Sequence, residues 1–148
     1  MVIQYFIGAG LIAINVVFQA LAFDAIIKRT QWLENMAFRR MRSLWKALTV
    51  AIVVLCVSCT LIVEIWTWAL FYYFFDVIVD LESALYFSTV TFTTVGYGDV
   101  VLDKGWRILS SVEALNGFLL FGWSAAFIFE IVSILYIKEG RAIEHRNS

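Results

Sequence analysis

The chain has 148 residues, of which 62% are hydrophobic and 16% are charged, and its mean hydropathy is +0.85. A soluble domain of this size cannot bury so much apolar surface, so these values exclude the soluble classes and favour one membrane domain. A formal net charge of −1 excludes the basic surplus that is typical of nucleic-acid-binding proteins. Because the sequence has no proline and only 8 glycines, we expect no linker or low-complexity tract.

Three apolar runs are long enough to cross a bilayer. They cover residues 1–23, 47–75 and 108–137, and the charged residues inside them are all glutamates: Glu64 in the second run and Glu113 and Glu130 in the third. A helix of about 20 residues spans a hydrocarbon core of about 30 Å. The sequence therefore predicts an all-α membrane protein with transmembrane helices over residues 1–23, 45–75 and 106–137.

Charged residues between the helices predict the orientation of the chain. Residues 24–46 carry six basic and two acidic side chains, whereas residues 76–107 carry two basic and five acidic ones. Because basic segments stay in the cytoplasm, we expect the N-terminus outside and the short tail, residues 138–148, in the cytoplasm. A signal peptide with its cleavage site at Ala20–Ala22 is the alternative for the first helix, but no basic region precedes the apolar run.

The basic loop, residues 24–44, contains an amphipathic pattern, and Thr30 is a candidate N-cap. The pattern predicts a short helix on the membrane surface, with Arg39, Arg40 and Arg42 at anionic lipid headgroups. A solvated basic turn is the alternative. At the other end of the second helix, four aromatic residues are expected in the outer aromatic belt: Trp66, Trp68, Tyr72 and Tyr73.

The acidic segment between the second and third helices, residues 76–107, contains the sequence Thr94-Val95-Gly96-Tyr97-Gly98, or TVGYG. A potassium ion sheds its water only where several oxygens replace it, and backbone carbonyls are tolerated at membrane depth only where they line an aqueous path. The two glycines permit backbone angles that align successive carbonyls, because they have no β-carbon. We therefore expect the carbonyls of residues 94–97 and the Thr94 hydroxyl to bind K⁺, with Val95 and Tyr97 directed away from the ion.

The order of helix, short helix, TVGYG, Asp99 and helix resembles the pore module of tetrameric potassium channels, most of all the small prokaryotic two-span channels. The resemblance covers residues 45–137. It implies a selectivity filter over 94–98, a pore helix over 81–93, four copies around one pore and a prokaryotic cell membrane. The first helix, residues 1–23, is an addition to that module. Asp80 is a candidate cap for the pore helix.

Two aromatic positions of the pore helix depart from the family pattern, in which both are often tryptophan. Here they are Tyr86 and Phe87. We expect Tyr86 to reach Asp99 and to support the filter, whereas phenylalanine cannot donate a hydrogen bond. Val90 stands where some relatives carry a glutamate that couples to the aspartate after the filter, so that coupling should be absent.

The third transmembrane helix resembles the inner helix of the family and contains the candidate gate. Gly117 falls where a hinge glycine is common, and Gly122 is a second weak point. Close helix packing is the alternative role for both glycines. Helical spacing brings Phe118, Phe121 and Phe129 to one side, where four copies would form an apolar ring that gates by dewetting. Contact of these phenylalanines with lipid or a neighbouring helix is the alternative.

Carboxylates inside a membrane indicate function by default, because an unpaired charge at depth is costly. We expect Glu113 behind the filter, bonded by a hydroxyl of the pore helix, for which the candidates are Ser88, Thr89 and Thr91. Glu64 is expected to reach water at the outer interface.

These patterns together predict a potassium-selective channel that needs no organic cofactor and is not an enzyme. A less selective cation channel and a non-conducting accessory subunit are alternatives. A thiol oxidoreductase that uses Cys56 and Cys59 is another, although the two cysteines fit packing positions of a membrane helix better. No span carries the repeated arginines of a voltage sensor.

Overall fold

The computed structural model describes the backbone of residues 2–37 and 42–147, and the side chains of residues 2–30 and 47–137. Four helices make up this part of the chain: α1 (Val2–Ala37), α2 (Arg42–Phe74), α3 (Leu81–Phe92) and α4 (Arg107–Asn147). Three of them contain segments long and apolar enough to cross a membrane: Val2–Thr30, Ala47–Phe74 and Arg107–Ile137. The composition therefore predicted both the helical class and the three candidate spans.

The first helix continues beyond its predicted end and reaches Ala37. Thr30 does not cap a new helix, because its hydroxyl donates to the carbonyl of Ile26 inside α1 at 2.8 Å. No glycine or proline between residues 24 and 37 interrupts the helix. The prediction of a separate surface helix from Thr30 is thus wrong up to Ala37. Arg39 and Arg40, together with the side chain of Arg42, lie outside the described residues.

The last helix also runs past its predicted boundary, to Asn147 rather than residue 137. The added residues include lysine, arginine, glutamate and alanine, which favour a helix once the apolar segment has ended. Hydropathy marks the part of a helix that fits the membrane, and it does not mark where the helix stops.

Helices α1 and α4 run side by side in the same direction. A β-carbon on Gly8 would lie 2.6 Å from the Val112 side chain, near the start of both helices. Further along, Phe23 stacks on Phe127 with ring centroids 3.9 Å apart. Helix α2 runs the opposite way, so α1 and α4 cross a membrane in the same sense, as the predicted topology requires.

Among the side chains that the structure describes, the core consists of two clusters along α2. The first surrounds α3 and includes Trp68, Phe87 and Leu109, and the second joins Phe23 of α1 to α2 and α4. Trp68 and Tyr72 are fully buried because α3 packs over this end of α2. The prediction that these two residues lie in the aromatic belt is therefore wrong, whereas Trp66 and Tyr73 are exposed.

Candidate ion-conduction site

Helix α3 begins at a cap that the sequence predicted. The Asp80 carboxylate accepts a hydrogen bond of 2.8 Å from the backbone N–H of Ser83. That bond satisfies one of the free N–H groups of the first turn and holds the pKa of Asp80 below its ordinary value. The helix ends at Phe92, with Thr93 as its C-cap. Its carbonyl end therefore lies directly before the TVGYG segment, residues 94–98.

The backbone of the TVGYG segment alternates between two conformations. Thr94, Gly96 and Gly98 have positive φ angles of 61°, 56° and 79°, whereas Val95 and Tyr97 between them do not. Alternation of this kind turns successive peptide groups so that their N–H groups face one side and their carbonyls another. The segment is therefore not a β-strand but a chain with aligned peptide groups.

The N–H groups of the TVGYG segment turn back onto the end of α3. Thr94 donates to the carbonyl of Thr91 at 2.9 Å, and Val95 and Gly96 both donate to the carbonyl of Val90, at 3.0 and 3.2 Å. Carbonyls of a last helical turn need such partners. Within the described residues, no donor bonds to the carbonyl oxygens of residues 94–97. These oxygens remain free for a ligand.

Thr94 is one of two described residues other than glycine with a positive φ. A β-branched side chain disfavours this region, at a cost of about 1–2 kcal/mol. Such strain persists only where the surrounding structure imposes it, and it concentrates at functional positions. Here the end of α3 imposes it through the bonds to the Thr94, Val95 and Gly96 N–H groups.

A bridge joins the middle of α3 to the residue that follows TVGYG. The Tyr86 hydroxyl donates to the carboxylate of Asp99 at 2.7 Å, as expected from the sequence. The bond raises the pKa of Tyr86 and lowers the pKa of Asp99 from their ordinary values. Phe87, the neighbouring aromatic residue, instead packs edge-on against Tyr72 in the core.

Glu113 of α4 is fully buried and joins three helices. The Ser88 hydroxyl of α3 lies 2.6 Å from Oε1 of Glu113, and the Tyr72 hydroxyl of α2 donates to Oε2 at 2.7 Å. Ser88 is one of the three hydroxyls that the sequence predicted. Tyr72 was missed, although a buried tyrosine hydroxyl usually needs a partner.

The Ser88 hydroxyl has two hydrogen-bond partners that both accept if Glu113 is ionised. Its oxygen also lies 2.9 Å from the carbonyl of Ile65, and a hydroxyl has one hydrogen to donate. A protonated Glu113 that donates to Ser88 leaves the Ser88 hydrogen for Ile65, so that every group has a partner. The geometry therefore fits a neutral carboxylic acid at Glu113.

Glu64 of α2 is also fully buried, so the prediction that it reaches water is wrong. Neither of its carboxylate oxygens has a hydrogen-bond partner among the described residues. Burial follows from the packing of α2, since Ile65 and Trp68, one and four residues further along the helix, are in the core as well.

The two candidate hinge glycines have different surroundings. A β-carbon on Gly117 would lie 1.9 Å from the carbonyl oxygen of Phe92, so this glycine allows α4 to press against the end of α3. The geometry supports the packing role at Gly117. A β-carbon on Gly122 would meet nothing within 4 Å. No neighbour in the described part of the chain therefore requires a glycine at position 122.

The candidate gate residues lie mostly on an open side of α4. Phe118 and Phe129 are 70% and 74% exposed in the single chain. Phe121 is less exposed, because its ring packs edge-on against Phe92 with centroids 5.9 Å apart. Phe118 and Phe129 thus remain available to other subunits or lipid, while Phe121 also contacts α3.

Cys56 and Cys59 are free thiols on α2. Among residues with described side chains, no group of three or more histidine, cysteine, aspartate or glutamate residues is placed to hold a metal ion. Neither cysteine is among the residues described above that contact or support the TVGYG segment.

The helices and the site define a membrane protein that carries a channel-type segment between its second and third candidate spans. A family model described as "Ion channel" matches residues 60–133, which is half of the chain. The match includes the second half of α2, all of α3, TVGYG and most of α4. The chain belongs to this ion channel family, which makes it an ion transport protein of the membrane. A comparison with curated proteins and one with solved structures each gave no match.

Proposed function

We propose that the protein is a potassium-selective channel through which K⁺ crosses the membrane passively. The observation that carries the proposal is the TVGYG backbone, with positive φ at every second residue and N–H groups bonded to the end of α3. Its free carbonyls are the ligands that replace the water around a potassium ion. The Thr94 hydroxyl adds the innermost ligand.

The end of α3 favours a cation at this point. Its last carbonyls carry the negative end of the helix dipole, and they lie next to TVGYG. The TVGYG segment is held at both ends, by the bonds to Val90 and Thr91 on one side and by the Tyr86–Asp99 bridge on the other. A segment fixed in this way keeps its carbonyls at a constant spacing.

A pore of this kind requires several copies of the chain, and we propose a fourfold homotetramer. One chain supplies one row of carbonyls, whereas an ion needs ligands around it. In the single chain, Val95 and Tyr97 are 52% and 72% exposed. A cavity of about 460 Å³ lies beside the filter, against Phe87, Thr91 and Ala114. Neighbouring subunits would cover both features.

In the tetramer, α4 lines the pore and its exposed phenylalanines form the gate. Phe118 and Phe129 face away from α1, α2 and α3, which supports their placement at the axis. Four copies of Phe129 would close the inner mouth as an apolar ring that excludes water.

Purified protein in liposomes tests the function directly. We expect potassium flux, and in mixed potassium and sodium a reversal potential that follows the potassium gradient. A reversal potential that follows both ions would favour a less selective cation channel, and no flux would favour an accessory subunit. A variant with Cys56→Ser and Cys59→Ser should retain the flux, since the thiols lie away from the filter. The assembly should be a tetramer, and a conducting monomer or dimer would overturn the proposed architecture.

We also propose anionic lipids as partners at Arg39, Arg40 and Arg42. A groove of about 670 Å³ between α1 and α2, within the described residues, supports a lipid site in this protein. Lys28 and Arg29 line it together with apolar residues such as Ile52. Basic grooves between membrane helices suit anionic headgroups. Thermal stability should rise in phosphatidylglycerol vesicles relative to phosphatidylcholine vesicles, and the rise should shrink when Arg39, Arg40 and Arg42 are changed to glutamine.

A further inference from the structure

The added helix, α1, has three amide side chains on its buried face. Gln4, Asn15 and Gln19 are buried in the single chain. Between Val2 and Leu21 many exposed side chains are large and apolar, among them Phe6, Ile14, Val17, Phe18 and Leu21. Such an arrangement is typical of membrane helices that associate through polar contacts, because lipid provides no hydrophobic force between helices. Helix α1 is therefore built to pack against other helices of this chain.

Gln19 makes the central contact of α1 with α4. Its amide nitrogen donates to the backbone carbonyl of Leu120 at 3.2 Å and to the hydroxyl of Ser124 at 2.9 Å. Leu120 and Ser124 lie at the two ends of one helical turn. Gln19 is fully buried, so water does not compete for these bonds. One side chain of α1 thus holds both ends of a single turn of α4.

The turn held by Gln19 contains Gly122. A glycine in a helix interior weakens the helix relative to alanine, and Gly122 has no neighbour that requires the missing β-carbon. The helix is fixed to α3 above this point, where Gly117 contacts Phe92. Below it, Trp123 and Phe127 pack against Phe23 of α1. Gly122 is therefore an intrinsically weak position that α1 braces from the side.

We propose that α1 controls bending of α4 at Gly122, and that Gln19 is the positioning residue. The hydrogen bonds from Gln19 hold both ends of one turn of the continuous helix α4, and so favour a straight α4 over a bent one. A bend that separates Leu120 from Ser124 must break at least one of these bonds. A bend would displace Phe129 and the rest of α4 relative to α3. The effect on ion flow rests on the proposed channel function, whereas the effect on the shape of α4 does not.

Gln19→Leu removes both bonds while keeping a side chain of similar size. Loss of a buried hydrogen bond corresponds to a change of about fivefold in an equilibrium, so we expect the ratio of bent to straight α4 to rise about fivefold or more. Gln4→Leu is the matched control. It makes the same change on the same face of α1, about four turns away.

Pulsed electron paramagnetic resonance can measure the shape of α4 with spin labels at Glu82→Cys and Phe129→Cys. Cys56→Ser and Cys59→Ser remove the native thiols, and dilution with unlabelled chains restricts the signal to distances within one subunit. We expect Gln19→Leu to add a second distance population that Gln4→Leu does not add. An unchanged distribution in Gln19→Leu, or the same change in both variants, would overturn the proposal.

Ser124→Ala provides a second variant in case Gln19→Leu does not assemble. It removes one of the two bonds and leaves the one to Leu120, so it should shift the same distance population by a smaller amount. In the double variant the shifts should not add, because both act on one interaction. Fully additive shifts would contradict the role of Gln19.

Liposome currents separate the two proposals. If the wild type conducts potassium, Gln19→Leu should raise its open probability and leave the selectivity unchanged. If the wild type does not conduct but the distance population still changes, the channel proposal fails and the role of α1 stands. If the wild type conducts but the distance distribution is unchanged in Gln19→Leu, the channel proposal stands and the role of α1 fails.

Discussion

The carbonyl oxygen of Phe92 lies 1.9 Å from the point that a β-carbon on Gly117 would occupy. The last residue of α3 thus meets α4 about three turns from its start, backbone to backbone. Because Phe92 lies two residues before Thr94, this contact fixes the base of the TVGYG segment against α4. Of the two roles that the sequence left open for Gly117, hinge and close packing, this contact supports close packing.

Gly117→Ala should destabilise the fold, because the backbone of α3 has no flexible group to move aside. We expect a loss of about 1–3 kcal/mol or more per subunit. Gly122→Ala is the control, since a β-carbon there meets nothing within 4 Å and removes the cost of a helical glycine. Thermal unfolding in detergent should show a lower midpoint for Gly117→Ala only. Equal midpoints would argue against the contact with Phe92.

The protein is expected to tolerate glutamine at position 113 better than alanine. Glutamine can donate to Ser88 and accept from Tyr72, as a protonated glutamate does, whereas alanine leaves the Tyr72 hydroxyl without its partner. The unpaired buried group and the cavity should cost about 2–4 kcal/mol. Thermal stability and open probability should both fall more in Glu113→Ala. Wild-type behaviour of both variants would contradict a structural role.

The Tyr86–Asp99 bridge should persist over the whole neutral pH range. Because the pKa of Asp99 is lowered, the stability that its ionised carboxylate contributes to the fold is lost only as the pH falls below the ordinary value of 3.8. Because the pKa of Tyr86 is raised, the stability that its protonated hydroxyl contributes is lost only as the pH rises above 10.0. Tyr86→Phe removes the bridge at every pH, and we expect a less stable filter and weaker selectivity. Reversal potentials across pH test this, with Tyr73→Phe as the control.

Gly96→Ala should impair the filter rather than the scaffold. Gly96 has a φ of 56°, which costs a residue with a β-carbon about 1–2 kcal/mol, although the added carbon meets nothing within 4 Å in the same chain. We expect assembly to be retained while conduction or selectivity falls. Gly105→Ala is the control, because it has equal space and no positive φ. Normal currents and selectivity in Gly96→Ala would contradict the proposal that residues 94–98 form the selectivity filter.

Labelling from each side of the membrane tests the predicted orientation. In a background of Cys56→Ser and Cys59→Ser, a cysteine at Val2 should react with an impermeant thiol reagent from outside. One at Ser148 should react only from the cytoplasmic side. The expectation rests on the basic surplus of residues 24–46 and the acidic surplus of 76–107. The reverse pattern would contradict it.

The features that the sequence predicted are those that depend on composition or short spacing. Hydropathy alone marks the three candidate spans, because crossing a membrane requires only length and apolarity. The cap at Asp80 lies three residues from its partner, Ser83, and the Tyr86–Asp99 bridge spans one short helix and its connection. In each case the position along the chain almost fixes the position in space.

Other features depend on how each helix is rotated about its axis. Apolar residues surround α1 and α2, so their sequences do not distinguish a face toward lipid from a face toward protein. Tyr72 and Glu64 were therefore expected at the interface, yet both are buried. The contact of Gly117 with Phe92 arises only when α3 and α4 have docked.

The sequence by itself determined a three-span membrane protein with a TVGYG segment between the second and third spans. Tertiary structure alone decided that Gln19 holds Leu120 and Ser124, which lie more than 100 residues away in the chain. Inside a membrane, polar side chains must find partners among other helices, because the surrounding lipid offers none. The sequence shows which groups need partners, and only the packing of the helices decides which partners they find.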